Sequence, residues 1–322
     1  MNRRILLAAA LGFAAPPARA QPALPVVGFL RSAAVDDMAA EWLAAFRRGL
    51  REAGYEDGRN VAIEVRGADG SPARLATLVQ ELIERPARVI FGNNAAALAA
   101  LRATRSIPIV FATGGDPIRD GLVASLSRPG GNVTGVTFLD ATVSAKQLEL
   151  LRELVPAATT LGLVADTSTP TGAAAARDAA AAAAAMGLRL VLMSARSDAE
   201  IDAAFAAFAA QRVGGFMASG AAAFSSRRRR LVALAAQHRL PGMYEAREFA
   251  AAGGLMSYGG SIPEAYRQAG LHAGRILAGA DPGSLPVFQS TRVELVINLA
   301  VARALGLAVP PMLLSRADEV IE

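Results

Sequence analysis

Short apolar, β-branched runs alternate with helical stretches along this sequence, and the whole alternation occurs twice. No other feature narrows the possible folds as much. Residues 26–30 form a first strand. Residues 36–53 place Met38, Trp42, Ala45, Phe46 and Leu50 at helical spacing and stop at Gly54, a residue suited to the left-handed position after a helix. Strands over 61–65, 88–91 and 107–111 follow, with helices over 72–84 and 95–104. This β–α–β order argues for a parallel sheet with helices on both faces. The second half repeats it: helices over 144–154, 171–186, 198–211 and 226–238, and strands over 161–164, 189–193, 215–218 and 240–244. Gly162 and Gly187 bracket a strand and a helix much as Gly28 and Gly54 do. The expected fold is two similar Rossmann-like α/β lobes with parallel sheets flanked by helices, joined by a multi-strand hinge.

Residues 107–136 show how the first half ends. The run 107–111 suits a strand buried on both faces. Thr113-Gly114-Gly115 follows at its C-terminal end, where open α/β sheets place ligands. Asp116-Pro117 predicts the start of a short helix, because Asp caps well and Pro favours the first helical position. Arg128 to Asn132 predicts a turn, and the extended residues 133–138 predict a crossing between lobes. A second crossing is expected near 253–260. The first lobe is thus assigned 24–137 plus about 258–282, and the second 138–257 plus about 283–322.

Residues 1–20 stand apart. Arg3-Arg4, the apolar run 5–15 and Ala18-Arg19-Ala20 match the charged, apolar and small-residue regions of a cleavable export signal. The apolar run is too short for a stable membrane span. Its removal takes away three arginines and no acid, which lowers the formal net charge from +5 to +2. A nucleic-acid partner needs a concentrated basic surface. The one cluster, Arg227 to Arg230, has no interleaved aromatics and is expected to be a solvated helix face. With no cysteine, disulfides, thiolate metal sites and lipid attachment at an N-terminal Cys are excluded. An exported protein of this kind is expected free in the periplasm, without stable membrane insertion.

Ala112-Thr113-Gly114-Gly115-Asp116-Pro117 and Arg128-Pro129-Gly130-Gly131-Asn132-Val133-Thr134-Gly135-Val136 carry a family resemblance. So do Gly49 to Tyr55, Gln147 to Pro156, Arg247 to Gly259, and the tail from Glu294. Together they resemble the substrate-binding proteins of ABC transporters related to the tryptophan/tyrosine-binding type, with the type I periplasmic binding fold. Residues 219–224 depart from the family's more polar loop. The resemblance implies a monomeric, extracytoplasmic component of an importer. It would bind an amino acid or related small solute between the lobes and then dock on a permease driven by an ATPase. A ligand-sensing subunit for a signalling receptor is the alternative, and a Rossmann-like enzyme a weaker one.

A closing two-lobe binder needs polar groups from both lobes around one solute. The strand-exit candidates are Ser32, Asn93, Asn94, Thr113, Gly114 and Asp116 from the first lobe. The second lobe offers Asp166, Ser168, Thr169, Ser219, Tyr244 and Glu245, and Tyr258 could stack on a ligand ring. Several have plainer roles open to them. Asp116 suits a helix cap better than a ligand contact, and Asn93, Asn94, Ser168 and Thr169 could also cap helices. Gly114-Gly115 could admit a ligand or merely turn the chain. No catalytic group, metal ligand or cofactor is expected. His238 and His272 have no nucleophile or carboxylate placed beside them by the sequence, and residues 130–132 lack the Lys and helix of a phosphate loop.

Overall fold

The computed structural model describes residues 23–138, 143–290 and 293–322; the expected export signal at 1–20 lies outside them. Five parallel strands open the chain: β1 (Val26–Arg31), β2 (Ala62–Gly67), β3 (Val89–Asn93), β4 (Ile109–Thr113) and β5 (Val133–Thr137). Five more form the second half: β6 (Thr160–Ala165), β7 (Arg189–Ser194), β8 (Phe216–Ala218), β9 (Gly242–Tyr244) and β10 (Met256–Gly260). Then come β11 (Phe288–Gln289), β12 (Val293–Asn298) and β13 (Glu319–Ile321). They build two sheets, ordered β11-β5-β4-β3-β1-β2 and β13-β12-β10-β9-β8-β6-β7. All pairings are parallel except β10 with β12. In both sheets the strand order reverses at the first strand, between β1 and β3 and between β6 and β8. Crevices that receive ligands open at such reversals.

Helices cover the sheets. The first half carries α1 (Asp37–Glu52), α2 (Pro72–Glu84) and α3 (Asn94–Ala103). The second carries α4 (Val143–Leu154), α5 (Pro170–Ala185), α6 (Asp198–Ala210), α7 (Ala222–Ser226), α8 (Arg228–Gln237) and α9 (Arg247–Ala251). After β10, α10 (Ile262–Leu277) returns to pack along α1, and the short α11 (Leu299–Leu305) and α12 (Pro311–Leu314) follow near the end of the chain. Gly49 and Gly270 let these two backbones meet, since a Cβ on either would strike the other helix's carbonyl oxygen, that of Arg267 or Phe46. Rings fill each core. Phe91 lies 4.8 Å from both Phe29 and Phe46, and in the second lobe Phe205 meets Phe216 at 4.9 Å.

Two expectations shift. Residues 116–121 make a turn rather than a helix: Asp116 Oδ1 accepts from Ile118 N at 2.9 Å, and Gly121 at φ +78° ends the turn. The lobe boundaries also move. Met256–Gly260 is paired on both sides within the second sheet, so the return to the first lobe begins after Gly260 rather than near 258. It lasts past 282, because backbone groups need partners and first-lobe residues supply them. Val287 N donates to Leu126 O at 2.8 Å, Thr134 Oγ1 donates to Leu285 O at 2.8 Å, and β11 pairs with β5.

Candidate functional site

The C-terminal ends of the two sheets face each other across a cleft of ≈ 1710 Å³. This exceeds the roughly 300–1,000 Å³ usual for a small-molecule pocket, so the cleft has room for a guest together with water. Eleven of the thirteen expected residues line it: Ser32, Asn93, Asn94, Thr113, Gly114, Asp116, Asp166, Ser168, Thr169, Ser219 and Glu245. Strand direction explains this, since each terminates or follows a parallel strand at the same end of its sheet.

Many of these groups are already occupied. Ser32 N donates to Asn93 Oδ1 at 3.0 Å and Asn93 Nδ2 donates to Ser32 Oγ at 2.8 Å, so the pair ties β1 to β3 across the reversal. Asn93 makes no side-chain cap on α3. Thr113 Oγ1 accepts from Gly115 N at 2.9 Å and shapes the loop. Asp116 serves its turn. Thr169 Oγ1 accepts from Gly172 N at 3.1 Å and caps α5, while Ser168 is held by Asp166 Oδ1. Among these lining residues, Ser219 Oγ and Asn94 Oδ1 are buried without a hydrogen-bond partner, and the Glu245 carboxyl also lines the cleft. Burial pushes that carboxyl up to about 7, and the charge of Glu248 adds to the shift.

Tyr244 and Tyr258 do not reach the cleft. Tyr244 is fully buried in the second lobe and stacks on Phe249 at 4.9 Å, with its hydroxyl unpartnered. Side chains alternate along a strand, so Tyr244 goes into the core while Glu245 beyond it turns to the cleft. Tyr258 packs against the second lobe's core from β10, and its carbonyl accepts from Gln147 Nε2 at 2.7 Å.

Other cleft residues were not anticipated. Arg31 ends β1 and is 1% exposed. Its guanidinium carbon lies 4.8 Å from the centre of the Trp42 ring, and Tyr266 from α10 stands 5.3 Å from the same ring. The sequence did hold a signal for Arg31, a cation terminating an otherwise apolar strand. Nothing local pointed to Tyr266, which is brought in by the late return of the chain.

The lobes are drawn together at both rims. On one side Asn94 Nδ2 donates to Thr171 Oγ1 at 2.5 Å and Thr171 Oγ1 donates to Asp120 Oδ2 at 2.9 Å. Gly115 permits this, since a Cβ there would lie 2.5 Å from Asp120 Oδ2 and 2.9 Å from Thr171 Oγ1. On the other side Trp42 Nε1 donates to Glu248 Oε1 at 3.1 Å, and Arg228 approaches Asp36 at 3.7 Å. Arg228 therefore departs from the expected solvated face: its side chain is 13% exposed and looks across the cleft.

His272 is buried between the carbonyls of Gln268 and Pro286, at 3.0 and 3.1 Å. Among the described residues no cluster of His, Asp or Glu could hold a metal ion, and no helix is long and apolar enough to cross a membrane. The arrangement can enclose and orient a small polar molecule.

Comparison with known proteins gives the same picture. The profile of the family described as ABC transporter substrate binding protein matches residues 33–321. A tyrosine-binding protein of Clostridioides difficile is 34% identical over 124 residues, 38% of this chain; the match spans only about a third (35%) of that relative's length. A crystal structure of a conserved domain protein from Vibrio cholerae superposes with a TM-score of 0.86 at 27% identity, covering 92% of this chain and all of the other. A structure from Streptococcus pneumoniae in complex with L-Trp superposes with a TM-score of 0.84 at 25% identity, covering 93% of this chain and 100% of the other.

Proposed function

The chain belongs to the ABC transporter substrate binding protein family, on the side related to tryptophan and tyrosine binding, and from this premise we propose that it is the periplasmic solute-binding component of an importer. It captures an amino acid or related small polar solute between its lobes. The closed form then docks on a permease coupled to an ATPase, and no chemistry is done on the guest.

One observation carries this reading: residues holding buried polar atoms without partners line a single cleft from both lobes, Asn94 with its Oδ1 from the first and Ser219 with its Oγ from the second. Such atoms are costly when unpaired, and a guest bonded to both rewards only the closed arrangement. Ligand-driven closure requires that differential affinity. The Glu245 carboxyl, held partly neutral by burial, supplies a counter-charge for an amino group.

The test is a thermal-shift screen of amino acids and aromatic acids, followed by calorimetric titration. A ligand that binds only the folded state raises the melting temperature. Trp42 is the sole tryptophan and bonds across the rim, so a non-fluorescent ligand should also change its emission. A screen without any stabilising amino-acid-like solute sinks the proposed solute class.

A further inference from the structure

We propose that Arg31 is the anchor for a carboxylate on the guest, making it the residue that selects small organic acids. This rests on the reading of the cleft as a solute site and names the group recognised there.

Arg31 sits where the first sheet's strand order reverses, at the end of β1, and lines the cleft. It is buried, yet its Nε and Nη1 have no hydrogen-bond partner. Among the described residues its one ion pair is with Asp36, at 3.8 Å from Nη1, too long for a hydrogen bond. Asp36 is also engaged elsewhere: Oδ1 accepts from Ala39 N at 2.9 Å to cap α1, and Oδ2 faces Arg228. Asp36 therefore offsets charge without satisfying the guanidinium.

The Trp42 ring holds the cation by its face. Trp42 is itself fixed by the bond to Glu248 of the other lobe. A guanidinium held over a ring by its central carbon can keep its N–H donors for a planar, two-oxygen acceptor. A buried charge left short of hydrogen bonds is unfavourable, and a carboxylate can take two parallel charge-assisted bonds from it. Unpartnered donors, a ring 4.8 Å from the guanidinium carbon and a cleft position together describe a prepared carboxylate site. The Trp42 and Tyr266 rings beside it leave an apolar wall for the rest of the acid.

The probes are L-tyrosine and L-tryptophan, their decarboxylated counterparts tyramine and tryptamine, and sodium benzoate and inorganic phosphate at matched ionic strength. Each is measured by calorimetry and melting temperature on the wild type, Arg31→Gln and Arg31→Lys. The expected result is that Arg31→Gln weakens binding of the acids roughly 10- to 150-fold, the span of a charge-assisted hydrogen bond. Arg31→Lys should fall between, because it keeps the charge and loses the fork. Tyramine and tryptamine should bind poorly to the wild type and no worse to Arg31→Gln. The ligand-free melting temperature of Arg31→Gln should equal or exceed that of the wild type, since an under-bonded buried cation is gone.

If the amino acids bind wild type and Arg31→Gln equally, the anchor is refuted and the solute-binding reading stands. If no amino acid binds but benzoate stabilises the wild type and not Arg31→Gln, the anchor stands and the amino-acid class falls. If benzoate too fails to distinguish the two proteins, the anchor falls with it. Stabilisation by phosphate in place of the carboxylates overturns the assignment of the ligand class.

Discussion

Replacing Glu245 with Gln tests the electrostatics of the cleft without altering its shape. Burial raises the Glu245 carboxyl from its ordinary 4.5 to about 7, with Glu248 contributing. A group whose pKa is higher folded than unfolded stabilises the fold below its unfolded value. That contribution is lost as pH rises through the folded value. Wild-type stability should therefore decline between about pH 4.5 and pH 7 and level off above. A change from 4.5 to about 7 corresponds to at most about 3 kcal/mol. Glu245→Gln cannot ionise, so it should match the wild type near pH 4.5 and exceed it by up to about 3 kcal/mol at pH 7.5. For a chain of this size that is a difference of about 5 °C in melting temperature. Melts of ligand-free protein at pH 4.5, 6 and 7.5 provide the assay. A gap between variant and wild type that stays constant across the three pH values would refute the argument, because it would mean that Glu245 ionises freely in the cleft. An ammonium-bearing guest should pull the carboxyl back toward its charged form. Binding near pH 6 should then release a proton, which calorimetry in buffers of different ionisation enthalpy detects.

Tyr244→Phe removes a buried hydroxyl that has no partner; stability should hold or rise, by up to about 1–3 kcal/mol in urea unfolding, and ligand affinity should not change. Gly270→Ala forces a Cβ against the Phe46 carbonyl oxygen and wedges α10 off α1; the cost should be about 1–3 kcal/mol or more, visible as a lower denaturant midpoint. Gly115→Ala puts a methyl group against Asp120 and Thr171 at the rim, so ligand affinity should drop about tenfold, at roughly 1.4 kcal/mol of lost closure, with the ligand-free melting temperature nearly unchanged.

Periodicity and punctuation in the sequence determined most of the architecture. Apolar runs bounded by Gly54 and Gly187 mark strand–helix units, because the spacing of buried residues and the left-handed stop after a helix are local requirements. Parallel strands send their exit loops to one end of a sheet, so eleven candidates could be placed at the cleft without coordinates. What each side chain does there was decided by tertiary contacts. Asn93 could have capped α3 and instead bonds Ser32 from another strand. Tyr244 and Glu245 are neighbours of similar promise, and only the covering of β9 sends one into the core and leaves the other facing the cleft. Arg31 depends most on distant partners. In sequence it shows only as a cation ending an apolar strand, and its surroundings are set by Trp42 of α1 and by Tyr266 of α10, which the chain supplies only after passing through the second lobe. Local patterns act through the backbone of a few consecutive residues, whereas the burial and pairing of a charge depend on every surface packed around it.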